Sequence, residues 1–117
     1  MKKMLVVIIE PEEPARKKII ENSLESMQGI VGGYIEAIPA ERMPGGELLK
    51  GLDLLLVLNE EGKLLGLKPN FPTSDMGDII VGTAFVCKSK GCEMVGLSDD
   101  EADLIVEMFY RKEEVNG

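Results

Sequence analysis

The spacing of apolar and polar positions predicts an order of short elements. Residues 4–9 form an uninterrupted apolar run, as in a strand buried on both faces, and the run stops at Glu10-Pro11-Glu12-Glu13-Pro14. Residues 16–20 are then expected to return as a hairpin partner. Asn22 and Glu25 have the spacing of a capping box, and Leu24, Met27 and Val31 fall on one helical stripe that Gly32 can close. Residues 34–38 alternate as a strand. Residues 39–51 hold two prolines and three glycines and read as an irregular connection.

In the second half, residues 53–58 and 63–67 flank Asn59-Glu60-Glu61-Gly62, the pattern of a hairpin closed by a left-handed glycine. Residues 68–77, with Pro69, Asn70, Pro72 and Ser74, are expected as a surface loop. Residues 78–87 read as one long strand, turning through 88–91 to a short partner at 93–95. Ser98-Asp99-Asp100-Glu101 is a full capping box, after which Ala102, Ile105, Met108 and Phe109 repeat at helical spacing and Glu107 can pair with Arg111.

The fold class expected is a single α+β domain over residues 1–117, a mostly antiparallel, curled sheet of six or seven strands built from hairpins, with two helices. Residues 54–58 and 79–86 are apolar at both parities. Either the sheet curls around its second face or another subunit buries it, so a homodimer or higher oligomer is expected.

Charge narrows the partners. The chain carries 21 acidic and 13 basic residues, a net charge of -8, with the basic residues scattered in pairs. Nucleic acid and anionic membrane are therefore disfavoured as partners. No apolar run approaches the roughly 18 residues of a membrane span. The apolar run after Lys2-Lys3 is too short for a signal peptide and meets Glu10 directly.

The chain has no histidine and no tryptophan, which excludes His-based acid–base catalysis and His-containing metal sites. Cys87 and Cys92 by themselves cannot close a tetrahedral zinc site, and they read as reduced thiols of a cytoplasmic protein, although a cross-hairpin disulfide is geometrically conceivable. Neither a Walker A sequence nor a Rossmann glycine fingerprint is present, and no cofactor is expected. The acids at Asp99, Asp100, Glu101 and Asp103 lack the alternation of an EF-hand and suit helix capping. Gly32-Gly33 lies between a helix and a strand, the reverse of a phosphate-binding turn.

Taken together, residues 31–36, residues 59–67 with Asn70 beyond them, residues 78–86, and Leu97-Ser98-Asp99-Asp100-Glu101 running to Met108-Phe109 resemble the domain-of-unknown-function family numbered 3846. The resemblance runs nearly end to end and includes the opening strand with Glu10-Pro11. It departs from the family in the long 39–51 loop and the short 88–91 turn. It implies a small protein of phages, prophages or plasmid-like elements, and the family has no established activity.

The expectation is a non-enzymatic accessory protein that acts by binding, directed against a host defence or regulatory system. One form of it sequesters a small nucleotide-type ligand where subunits meet. Tyr34 would stack on the base, Lys63 would pair phosphate, and Asn59 and Asn70 would read polar edges. A second form is an acidic decoy that occupies a DNA-binding protein, which calls for denser, regularly spaced carboxylates than the clusters in this chain, and a third is a structural subunit. The enzymatic alternative is a small hydrolase or transferase using Glu60, Glu61 or Asp78 with a divalent ion, which requires a concave site with perturbed carboxylates.

Overall fold

The computed structural model describes the backbone of residues 2–114 and the side chains of residues 2–109. Among the described residues, eight strands and two helices occur in the order β1 (Lys3–Ile9), β2 (Arg16–Glu21), α1 (Leu24–Val31), β3 (Ile35–Pro39), β4 (Leu54–Asn59), β5 (Pro69–Pro72), β6 (Ile79–Val81), β7 (Ala84–Lys90), β8 (Glu93–Val95) and α2 (Asp99–Glu114). The main sheet is antiparallel and runs β2-β1-β7-β4-β3, with β8 also on β7, while β5 and β6 form a separate two-stranded ribbon. The α+β class holds. The sheet is open, with β2 and β3 at its edges, and does not close into a barrel.

Strand alternation sorts the core into two layers. Val7 and Ile9 of β1, Leu54 and Leu56 of β4, and Ala84 and Val86 of β7 face one side, where Ala102, Ile105 and Phe109 of α2 cover them with Met43, Leu49 and Phe71. Met4, Val6 and Ile8 of β1, Val57 of β4, and Phe85 and Cys87 of β7 face the other side and pack on Met27 and Val31 of α1. The strands are apolar at both parities because both faces are covered within one chain. That removes the reason the sequence offered for a second subunit.

Several local expectations hold. β1 and β2 form the opening hairpin, with Met4 opposite Ile20. Gly32 ends α1 at φ +82°, its N–H donating to the Gln28 carbonyl. The Ser98 hydroxyl accepts from Glu101 N at 3.1 Å while the Glu101 carboxylate accepts from Ser98 N at 2.9 Å, a complete capping box. The expected pairing of Glu107 with Arg111 lies outside the described side chains.

Others are corrected. Ser23, not Asn22, caps α1, accepting from Ser26 N at 3.1 Å, because Asn22 is drawn to β8, where its amide donates to the Met94 carbonyl at 2.8 Å. Leu24 is exposed, so the buried stripe of α1 begins at Met27. Residues 63–67 form no strand: both edges of β4 are taken, by β3 and β7, so the chain beyond Asn59 wraps through tight turns.

The strand expected over 78–87 divides at Gly82, φ +77°, into β6 and β7, which belong to different sheets. The partner of β6, β5, lies in the segment expected to be a loop, and residues 39–51 contain two 3₁₀ turns, Ala40–Arg42 and Gly46–Leu49. β7 continues through Lys90, so the turn to β8 is Gly91-Cys92. Cys87 is buried, Cys92 is exposed, and both are free thiols. No helix among the described residues is long and apolar enough to cross a membrane.

Candidate functional site

β4 ends at Asn59, whose side chain shapes the turn beyond it. Asn59 is buried, its Oδ1 accepting from Glu61 N at 2.8 Å and its amide donating to the Val31 carbonyl at 3.1 Å. The first bond is the Asx turn that residue type favours, and it starts the wrap of residues 60–66. The wrap closes where Leu67 N donates to the Gly62 carbonyl at 3.0 Å. Gly62 lets the wrap pack closely on β6, since a Cβ there would stand 2.8 Å from Val81 Cγ2, and its φ lies outside the left-handed region expected of it.

Between the wrap and β6 lies a cleft of about 200 Å³ lined by Glu36, Glu60, Glu61, Lys63, Asp78 and Ile79, among others. Glu36 reaches it from β3, where it stands opposite Leu58. Four acidic residues and one lysine therefore line the same cleft, and the ammonium is engaged: Lys63 Nζ donates to Asp78 Oδ1. Ile79 N donates to the same oxygen at 2.8 Å. The Lys63 ammonium, with the Ile79 N–H as the smaller contribution, holds the Asp78 carboxyl below the usual carboxylate range.

Beside the cleft, Thr73 is buried, and its hydroxyl donates to Asp75 Oδ1 at 2.6 Å while Gly77 N donates to the same oxygen at 2.9 Å. These two donors hold Asp75 low as well. The loop between β5 and β6 is thus pinned from within, an ordered turn with the polar residues that the sequence placed there.

The four residues expected to contact a nucleotide are dispersed. Asn59 and Lys63 share the cleft. Tyr34 is exposed and does not line it; its carbonyl accepts from Glu60 N at 2.9 Å. Asn70 lies elsewhere, its amide donating to the Ile9 and Gly82 carbonyls at 2.9 and 2.8 Å. The amides of both asparagines thus bridge backbone carbonyls of separate segments.

Glu60, Glu61 and Asp78 do meet in one concavity, as the enzymatic alternative required. Yet Asp78 is held below the usual carboxylate range, the opposite direction from a carboxyl tuned to exchange protons near neutral pH. Among the described residues no group of three or more Asp, Glu or Cys side chains is placed to hold a metal ion.

Sequence reasoning missed Glu36, Leu64 and Ile79 as members of the cleft. The alternation of residues 34–38 leaves Glu36 facing out, but only the β3–β4 register brings it beside the wrap. Leu64 is 87% exposed and Ile79 41% exposed, so the cleft combines carboxylates with uncovered apolar surface.

No curated protein and no solved structure matches the chain. A family model does, over residues 1–110, and the chain belongs to that family, Domain of unknown function (DUF3846).

Proposed function

We propose that the protein works by binding rather than by catalysis, and that the Lys63–Asp78 cleft receives a segment of another protein carrying basic and apolar side chains. The observation that carries this reading is the composition of the cleft. Its one ammonium is neutralised internally, leaving Glu36, Glu60 and Glu61 as exposed charge beside Leu64 and Ile79. Apolar contact supplies affinity in such a surface, and the carboxylates select and steer a cationic partner.

This is the acidic, protein-binding form of the accessory role expected from the sequence, acting in the cytoplasm on a host protein in the setting of a phage or mobile element. A nucleotide at this cleft is less well supported. Its phosphates would face an excess of carboxylates, and the Asn59 amide is already used.

The test is a titration of isotopically labelled protein with a short alternating Lys-Leu peptide, with a Glu-Leu peptide as control, monitored by amide chemical shifts. The Lys-Leu peptide is expected to move Leu64 and Ile79, less so at high salt. Replacing Glu60 and Glu61 together by Lys should weaken it by about tenfold, or about 1.4 kcal/mol. Equal binding of the two peptides, or shifts confined to other surfaces, would overturn the proposal.

A further inference from the structure

On the side of the sheet that α1 covers, the helix sits over β3, β4 and β7. Its flank meets the β1–β2 end of that face, where Met27 joins Met4, Ile8 and Ile20 in one buried cluster. A groove of about 440 Å³ runs there, within the size range of small-molecule sites. Ile8 and Ile20 contribute to its floor, and Ser26, Gly29 and Ile30 of α1 form one wall.

The β2 register decides which charges reach it. Arg16 stands opposite Ile8, Lys18 opposite Val6 and Ile20 opposite Met4, so these three share the α1 face of the sheet. Lys17 points the other way and pairs with Asp103 at 2.6 Å. Arg16 donates from Nε and Nη2 to Glu10 Oε1 at 3.2 and 2.9 Å. Lys18 has no carboxylate partner among the described residues. The groove thus sets two cations against one carboxylate in a chain whose net charge is -8. Thr83 adds a hydroxyl to the lining.

Basic side chains on an edge strand also guard it against pairing with other chains, which accounts for Arg16 and Lys18 but not for Gly29. Glycine inside a helix is destabilising, and α1 is only eight residues long. A Cβ at Gly29 would meet nothing within 4 Å, and its φ is not in the left-handed region. Neither packing nor backbone conformation calls for glycine at this position. Its effect is to keep the groove wall low beside Lys18.

We propose that the groove between β2 and α1 is a binding site for small organic anions, with Lys18 and Arg16 holding a phosphate or carboxylate group and Ile20 and Ile30 supporting an apolar body. The proposal is independent of the peptide site at the Lys63–Asp78 cleft.

The test uses AMP and benzoate as probes, with adenosine and benzamide as their uncharged counterparts, on the labelled full-length chain. Both anions are expected to shift the amides of Ser26, Gly29 and Ile30 saturably, and the neutral compounds to do so weakly. Gly29→Leu should lower affinity by about tenfold or more while unfolding at the same or higher denaturant concentration. Lys18→Glu should abolish binding where Lys50→Glu, at an exposed site away from the groove, does not. The proposal is overturned if neither anion shifts these amides, if the neutral compounds bind as well, or if folded Gly29→Leu binds unchanged. Should Gly29→Leu not fold, retention of binding by Lys18→Glu overturns it equally.

Discussion

The side chain of Asn59 ties the end of β4 to the end of α1: its amide donates to the Val31 carbonyl at 3.1 Å, and Gly33 lets the chain pass so close that a Cβ there would lie 2.9 Å from Asn59 Nδ2. The contact locks the helix onto the strand that leads into the cleft. Asn59→Ala strips partners from the Val31 carbonyl and the Glu61 N–H at once, with an expected loss of about 2–3 kcal/mol. Urea unfolding at constant m-value measures it, and the Leu64 amide should report a disordered wrap.

Asn70 and Gly82 form a second junction, where the chain leaves the β5–β6 ribbon for the main sheet. Gly82 adopts φ +77°, and a Cβ would meet Leu67 Cδ1 at 2.7 Å. Gly82→Ala is expected to cost about 1–3 kcal/mol, from the left-handed backbone conformation and from crowding of Leu67, whose Cβ would lie 3.3 Å away. Asn70→Ala, which deprives the Ile9 and Gly82 carbonyls of a donor, should lose a similar amount in the same denaturation experiment.

Acid should weaken the fold through its depressed carboxyls. Lys88 Nζ donates to Glu101 Oε2 at 2.5 Å, and the Glu101 side chain is 13% exposed. Burial alone would raise the Glu101 carboxyl, but the Lys88 ammonium and the Ser98 N–H outweigh it and the result is a lowered value. A carboxyl whose folded value is depressed stabilises fully above its unfolded value, near about pH 4, and progressively less as pH falls through the folded value. Thermal unfolding is therefore expected to be flat near neutrality and to drop below about pH 4. Glu101→Gln should lower the neutral plateau and flatten the acid limb, and an unchanged acid limb would contradict the role given to this pair.

The two thiols should separate kinetically. Cys87 is fully buried, and burial pushes its thiol up to about 12. Cys92 is exposed in the Gly91-Cys92 turn. A thiol-titrating disulfide reagent is expected to find one reactive group in the native protein and two in denaturant, and Cys92→Ser should leave the native protein unreactive.

Strand and helix existence was legible wherever a local signal was strong: the 4–9 run, the Ser98 capping box and the Gly32 terminus all fell where patterning put them. The misreadings share a cause. Asn59-Glu60-Glu61-Gly62 has hairpin chemistry, but whether a strand comes next depends on whether β4 has a free edge, and β3 and β7 occupy both. Residues 78–87 look continuous because apolar periodicity does not register a change of sheet at Gly82. Of the cleft, Lys63, Glu60, Glu61 and Asp78 were nameable as polar residues near turns, whereas Glu36 and Ile79 join them only through register and the packing of β6 on the wrap.

The class and the available chemistry were determined by the sequence itself: an antiparallel α+β fold, a net charge of -8, and no histidine for acid–base or metal work. Periodicity and composition carry these properties, and both act over a few residues or over the whole chain without reference to partners. Only the tertiary structure decided that both sheet faces are buried within one chain, that Asn59 and Asn70 serve the fold, that Lys63 is neutralised by Asp78, and that Lys18 and Gly29 border one groove. Each of those depends on which distant segments meet, and segment pairing is set by competition among all strands and faces for the same core.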